Sequence, residues 1–248
     1  MKNQDPSQEQ LQSVLNLYTH GKLQQALSES SQMLERFPNS VVLHNISGAS
    51  NAALKRFDAA IDSYKQALRI KPDYAEVHNN MGNALSIKSD LAEAIESYKK
   101  ALRIKPDYAV AYNNMANAMK DKGDLEEAIE EFEEVVKIEP IHIEGHYRKG
   151  DIYQRLGNQK EAIVSFKKAL KVDPDHILAN YQLGLAYSEM NLYKEALIQY
   201  KRTIELDPYF PDAYHKVGFN FVHQKQYKQA IEPLKKAVKL NPKFTKAH

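Results

Sequence analysis

Residues 97–115 read SYKKALRIKPDYAVAYNNM, and residues 63–81 read SYKQALRIKPDYAEVHNNM, a near copy that begins 34 positions earlier. The same spacing separates seven prolines along the chain, and no insertion or deletion interrupts it. A fixed period of this length indicates one helix–turn–helix unit that is stacked repeatedly, so the chain is predicted to be a repeat protein. The prolines are Pro38, Pro72, Pro106, Pro140, Pro174, Pro208 and Pro242.

Placing each proline at position 32 divides the chain into seven predicted repeats of 34 residues. Within a repeat, the apolar spacing predicts helix A over about the first fourteen residues and helix B over about positions 18 to 31. The proline ends helix B because it lacks an amide donor, and the aspartate that follows Pro72, Pro106 or Pro174 can cap the next helix A. These aspartates are Asp73, Asp107 and Asp175. The repeats are 7–40, 41–74, 75–108, 109–142, 143–176, 177–210 and 211–244, between an N-terminal extension, 1–6, and a C-terminal remnant, 245–248.

Three further positions keep the same register. Position 8 is small in most repeats, position 20 is alanine in all of them, and position 24 is aromatic in repeats 2 to 6. A small residue at position 8 lets helix A approach its neighbour, and a large one at position 20 would overpack the contact between the helices. Turns at Gly123 and Gly157 are expected to reverse the chain between helix A and helix B. Repeat 1 departs from the pattern with Val14 and Ser30 at positions 8 and 24, which is typical of a capping repeat.

These markers resemble the tetratricopeptide repeat family over nearly the whole chain. The resemblance implies an all-α fold, a right-handed α-α superhelix or solenoid, in which helix A lines a concave groove. The repeats also resemble those fused to bacterial sulfotransferase, methyltransferase or glycosyltransferase domains, and the superhelix of the O-GlcNAc transferases. No such catalytic domain is recognisable in these residues.

In this family, positions 2, 5, 6, 9, 12 and 13 of a repeat face the groove, and here they carry a series of asparagines. Asparagine is a mediocre helix former, so several on one helix need a reason beyond propensity. A carboxamide can donate to a peptide carbonyl and accept from a peptide N–H, so we expect the series to bind an extended backbone. Two alternatives are that these side chains only bind water in a groove without a ligand, or that they were copied by duplication. The asparagines are Asn45, Asn79, Asn80, Asn83, Asn113, Asn114 and Asn117; of these, Asn80 and Asn114 match the ladder of the O-GlcNAc transferases.

From repeat 5 onward the groove positions change character, with Tyr147 and Tyr181 at position 5. These rings could anchor a ligand or could fill the tightening inner surface. Asn83, Asn114 and Arg148 match three positions of the five-residue clamp by which chaperone-tail tetratricopeptide domains hold a C-terminal carboxylate. Asn79 and Glu144 stand where the two lysines of that clamp belong, so carboxylate capture is not expected. Tyr147, Arg148 and Tyr181 complete the predicted peptide-binding set.

Composition and motifs argue against several other classes of protein. The absence of Cys excludes disulfides and thiolate sites, and a net charge of +2 argues against a general nucleic-acid binder. The start of the chain is polar and no long apolar run occurs, so no signal peptide or membrane insertion is predicted. His142 and His146 have a spacing that would suit a metal, but no third ligand is evident and structural packing is favoured. No catalytic residue, metal or cofactor is predicted, and a cytoplasmic location is expected.

The predicted function is a non-enzymatic scaffold or adaptor that binds a protein or peptide segment in the concave groove. Two alternatives stay open: a substrate-recruiting arm of a larger glycosyl-, sulfo- or methyltransferase, and a self-assembling structural protein. The last helix B carries an apolar face with basic surroundings. We therefore expect the C-terminal repeat to be covered, either by later residues of a longer chain or by another copy.

Overall fold

The computed structural model describes residues 5–242. These residues form fourteen α-helices, two in each predicted repeat, and none of the described residues lies in a β-strand. The prediction of an all-α fold built from helix–turn–helix repeats is therefore confirmed. The helices are α1 (Gln8–Thr19), α2 (Leu23–Arg36), α3 (Val41–Ala53), α4 (Phe57–Ile70), α5 (Ala75–Ile87), α6 (Leu91–Ile104), α7 (Ala109–Lys122), α8 (Leu125–Ile138), α9 (Ile143–Arg155), α10 (Gln159–Val172), α11 (Ile177–Glu189), α12 (Tyr193–Leu206), α13 (Pro211–His223) and α14 (Tyr227–Leu240).

The chain divides into two compact bodies, with the boundary between Glu131 and Phe132 inside α8. In the N-terminal body, α3 packs on α4 and α5 on α6, while α4 also packs on α5. The C-terminal body repeats this order, with α9 on α10, α11 on α12 and α13 on α14, joined by contacts of α10 with α11 and α12 with α13. Each body is thus held by contacts between neighbours in sequence, as in other repeat proteins.

Glycine at position 8 makes room for the aromatic ring at position 24. A Cβ atom built on Gly82 would lie 2.6 Å from Tyr98 Cε1, and one built on Gly150 would lie 2.6 Å from Phe166 Cε1. Both distances are well below van der Waals contact, so the ring fills the space that a side chain would need. Tyr98 and Phe166 are accordingly buried. The predicted close approach at position 8 is confirmed.

Repeat 1 exchanges the sizes of the two side chains. Val14 at position 8 and Ser30 at position 24 are both fully buried. Val14 belongs to a buried cluster with Leu43 and Ile46 of repeat 2. The larger side chain therefore stands on helix A, and the smaller one stands on helix B. The departure that marks repeat 1 in the sequence redistributes volume within a filled core.

Every repeat places a residue in the left-handed region at position 15, in the turn between helix A and helix B. Gly123 has a φ of 103° and Gly157 a φ of 78°, as the predicted glycine turns require. Four repeats achieve the same reversal without glycine. These residues are Lys55, Ser89, Asn191 and Lys225, with φ values of 60°, 67°, 60° and 59°.

The aspartates that follow the repeat prolines do not cap helix A, so that prediction is wrong. The N-caps of α5 and α7 are Tyr74 and Tyr108, and neither makes a side-chain cap. The N-cap of α11 is His176, whose Nδ1 accepts from the Ala179 N–H at 3.0 Å. In each case the true cap is the residue directly after the proline-linked aspartate, so helix A begins one residue later than a cap by that aspartate would require. The aspartates concerned are Asp73, Asp107 and Asp175.

Candidate functional site

Asparagines on the A helices of repeats 2, 3 and 4 are joined to one another across the repeats. The Nδ2 of Asn80 donates to Oδ1 of Asn45 at 3.2 Å, and the Nδ2 of Asn114 donates to Oδ1 of Asn79 at 3.1 Å. In both bonds the acceptor is position 5 of one repeat and the donor is position 6 of the next. We call these four residues the amide ladder.

The amide ladder keeps hydrogen-bonding capacity for a ligand. Each bond uses one of the two N–H groups of Asn80 or Asn114 and no part of their carboxamide oxygens. Asn79 is 3% exposed, so its side chain serves mainly to orient Asn114. Because their orientation is already restrained, Asn80 and Asn114 would lose little side-chain entropy on binding a partner.

The other three asparagines of the predicted set have different surroundings. The Tyr98 hydroxyl donates to Oδ1 of Asn83 at 2.8 Å. The Nδ2 of Asn117 donates to the Asn113 carbonyl at 2.8 Å, within one helix. The carboxamide oxygen of Asn113 is buried and has no partner among the described residues. Among residues 5–131, only the four ladder residues are thus joined between repeats by side-chain amides.

A cavity of about 320 Å³ lies beside the amide ladder in the N-terminal body. Asn80 and Asn83 line it together with Tyr18 and Tyr64, and small side chains such as Ala49 keep it open. The cavity was not predicted from the sequence, although alanines one turn apart on neighbouring A helices are its visible signal. The cavity is large enough for a side chain of a segment bound along the ladder.

The position 5 aromatics of the C-terminal body pack on the repeat joints. The ring of Tyr147 lies 5.2 Å from that of His176 and 5.9 Å from that of Phe166. The ring of Tyr181 lies 5.0 Å from that of Phe210. Burial raises the pKa of the Tyr147 and Tyr181 hydroxyls, so both are neutral near pH 7. Of the two interpretations left open by the sequence, these contacts favour the filling of the inner surface.

Arg148, the remaining member of the predicted set, is paired within its own helix. Its Nε donates to Oε1 of Glu144 at 2.5 Å, and its guanidinium carbon lies 5.6 Å from the centroid of the Tyr147 ring. The carboxylate of Glu144 neutralises the cation that a ligand carboxylate would need.

Histidines at position 4 hold the joints between repeats. The Nε2 atom of His78 lies 2.8 Å from the Pro72 carbonyl oxygen, and that of His146 lies 3.1 Å from the Pro140 carbonyl oxygen. A carbonyl only accepts, so Nε2 donates in both histidines. Burial lowers the pKa of both rings, which favours the neutral form. In repeat 6, Asn180 makes the equivalent bond to the proline of its own joint at 3.0 Å.

The other histidine of the spaced pair also has a structural partner. The Nδ1 of His142 accepts from the Gly145 N–H at 2.9 Å and caps α9. Within residues 5–242, no group of three His, Cys, Asp or Glu side chains is placed to hold a metal ion. In the same part of the chain, no helix combines the length and apolar character that crossing a membrane demands.

Family models match most of the chain. A model described as "TPR repeat" matches residues 52–87, 82–123, 116–157 and 150–191, and one described as "Tetratricopeptide repeat" matches residues 177–210 and 211–244. No curated protein sequence matches the chain.

Solved structures with the same fold are numerous. The crystal structure of YrrB, described as a TPR protein with an unusual peptide-binding site, is 25% identical over 75% of this chain and 96% of its own, with a TM-score of 0.67. The MamA protein is 26% identical over 69% of this chain and 94% of its own, with a TM-score of 0.65. The C-terminal part of a TPR repeat-containing protein from Cytophaga hutchinsonii covers 96% of this chain and 97% of its own, with a TM-score of 0.84. The last of these is 17% identical and shows the fold alone.

Proposed function

This chain belongs to the tetratricopeptide repeat family of protein-interaction scaffolds, and we propose that its A helices bind an extended peptide segment mainly through the peptide backbone. The observation that carries the proposal is the amide ladder, in which Asn80 and Asn114 are held by bonds of 3.2 and 3.1 Å. The description of YrrB as having a peptide-binding site supports the same class of ligand.

The predicted residues then have different roles. Asn80 and Asn114 each offer a carboxamide oxygen and a second N–H, so each can bond one carbonyl and one N–H of an extended strand. Asn45 and Asn79 position them from the preceding repeat. The cavity beside Asn83 receives a side chain of the same segment.

The remaining members of the set belong to the proposal in a supporting role. They either extend the surface along helix A or, as Tyr147 does, fill the inner side of that surface, without a bond between side-chain amides of neighbouring repeats. They are Asn113, Asn117, Tyr147, Arg148 and Tyr181. The scaffold needs no catalytic residue and no cofactor for this function, and it works in the cytoplasm. The layout proposed for it is seven repeats over residues 7–244, flanked by 1–6 and 245–248.

Affinity on this surface depends on several weak bonds acting together. A single amide hydrogen bond contributes about 0.5–1.5 kcal/mol net, because the same groups bond to water when free. The four hydrogen bonds available to Asn80 and Asn114 therefore supply about 2–6 kcal/mol, which must be supplemented by a side chain in the cavity.

The test is capture of partners from native lysate by the wild type and by an Asn80→Ala/Asn114→Ala variant in parallel. The matched control is Asn158→Ala/Gln229→Ala, which removes two amides that lie outside the predicted set. A third variant, Asn45→Ala/Asn79→Ala, removes the positioning residues and leaves the binding amides in place.

We expect the first variant to lose its partners, the third to lose part of the binding, and the control to keep it. Circular dichroism must show unchanged helicity in all of them, so that the loss is not one of folding. Full retention of every partner by the folded Asn80→Ala/Asn114→Ala variant would overturn the proposal.

A further inference from the structure

A second surface lies in the C-terminal body and shares no residue with the amide ladder. A cavity of about 630 Å³ opens between the end of α8, the loop that follows it, and α10. Its wall is partly apolar, from Val136, Ile141 and Val172, and partly basic, from Lys168 and Lys171, with His146 beside them. An apolar wall next to cations is the composition of a site for an amphipathic anion.

The two lysines of this cavity have no paired carboxylate within residues 132–242. No ion pair joins Lys168 or Lys171 to a carboxylate among residues 132–242, although six other ion pairs occur in that range. His146 supplies no negative charge, since its ring donates to the Pro140 carbonyl and its pKa is lowered by burial. The cavity therefore presents two cations that the C-terminal body itself does not neutralise.

In the next repeat, the cation at the position equivalent to Lys168 is paired with carboxylates. Arg202 lies 34 residues after Lys168 and bonds to Asp175 at 2.5 Å and to Glu205 at 3.0 Å. The residues 34 positions before these two carboxylates are Ile141 and Lys171. One carboxylate has been replaced by an apolar side chain that is 77% exposed, and the other by a second cation.

We propose that this cavity docks an acidic peptide segment in which a carboxylate side chain stands next to an apolar one. The carboxylate takes the place that Asp175 occupies in the next repeat and bridges Lys168 and Lys171. The apolar side chain covers Ile141, which otherwise exposes most of its surface to water. This site is distinct from the backbone-binding surface proposed above, so one scaffold could hold two segments.

The probe is a fluorescein-labelled peptide that alternates glutamate and leucine, with a version that carries glutamine in place of every glutamate. Binding is measured by fluorescence anisotropy at low and high salt. The test variant is Lys168→Glu/Lys171→Glu. The control is Lys160→Glu/Lys194→Glu, which makes the same charge change at two exposed lysines outside the cavity.

A third variant, Ile141→Asp, restores the carboxylate that Asp175 supplies in the next repeat. The new side chain should pair with Lys168 and occupy the site from within. We expect it to weaken binding of the acidic peptide about tenfold, or 1.4 kcal/mol, without lowering the thermal midpoint. This variant separates loss of the site from loss of folding.

The proposal is supported by saturable binding of the acidic peptide that weakens with salt, falls about tenfold or more in Lys168→Glu/Lys171→Glu, and is kept by the control. Equal losses in the two charge-reversal variants would reduce the effect to general electrostatics and overturn it. Equal binding of the glutamine peptide, or no saturable binding at about millimolar concentration, would also overturn it. If Asn80→Ala/Asn114→Ala abolishes binding and Lys168→Glu/Lys171→Glu does not, the peptide occupies the amide ladder, and this second site is refuted while the first is supported.

Discussion

Replacing Gly82 by valine tests whether the ring at position 24 sets the size of the residue at position 8. A Cβ on Gly82 would lie 2.6, 2.8 and 2.9 Å from three ring carbons of Tyr98. The ring cannot move aside freely, because it is 1% exposed and its hydroxyl bonds to Asn83 at 2.8 Å. Overpacking of this kind costs about 1–3 kcal/mol, against a gain of a few tenths from replacing glycine in a helix. We expect Gly82→Val to lower the free energy of unfolding by about 1–3 kcal/mol.

A double-mutant cycle identifies the cause of that loss. Tyr98→Ala alone should cost about 3–5 kcal/mol through the cavity it leaves. Combined with Gly82→Val, it should cost at least about 1 kcal/mol less than the sum, because the valine enters the cavity. Urea unfolding with hydrogen exchange of α5 and α6 measures both. Tyr200→Ala is the control, since its ring packs on Gly184 and should be additive with Gly82→Val. Additivity of the Gly82→Val/Tyr98→Ala pair would refute the reasoning.

Three other outcomes follow from features of the chain. Burial lowers the pKa of His78 and His146, so these residues bind protons in the unfolded chain first as the pH falls, and the free energy of unfolding should decline below about pH 6.5. The variant His78→Asn/His146→Asn places at position 4 the residue that makes the equivalent bond in repeat 6. Its urea midpoint should depend less on pH than that of the wild type between about pH 5 and 7.5. Ser89→Gly should raise the unfolding free energy by about 0.5–1 kcal/mol, since φ is 67° there, and an unchanged or lower urea midpoint would contradict this. Tyr227 and Ile231 on α14 are 62% and 50% exposed, so we propose that a second copy of the chain covers them. Light scattering should show a concentration-dependent dimer, and Tyr227→Ser/Ile231→Ser should abolish it. A wild type that stays monomeric would exclude this dimer.

The repeat register was enough to predict the helices and their main packing rule. A fixed period places prolines, alanines and aromatic residues at the same positions within the repeat. Within one period, the spacing of the apolar residues fits two amphipathic helices. The left-handed turn was visible where Gly123 or Gly157 occupies it, but not at Lys55 or Ser89. A non-glycine residue is held there by the packing of the two helices, which is a tertiary effect without a local signal.

The candidate site was predictable in composition and less so in arrangement. The asparagine series suggested a surface that binds a peptide backbone, yet it did not indicate which carboxamides bond to one another. Asn79 and Asn80 are neighbours in sequence with different surroundings, since only the first is buried. That difference depends on how far helix A is rotated toward the next repeat, which a single period does not determine. Similarly, that Lys168 has no paired carboxylate within residues 132–242 became apparent only beside the paired Arg202.

The amide ladder also affects how the array can change its length. The stretch copied at 63–81 and 97–115 starts in one helix B and ends in the next helix A, so the duplicated element is a joint and includes both ladder positions. A further copy of residues 75–108, inserted after residue 108, would present Asn at positions 5 and 6 to both of its neighbours. Donor and acceptor would meet again at each new boundary, so growth by whole repeats needs no compensating substitution. Unequal crossing-over alone could therefore change the number of repeats whose asparagines bind a peptide backbone. The length of the segment that is recognised would change with it.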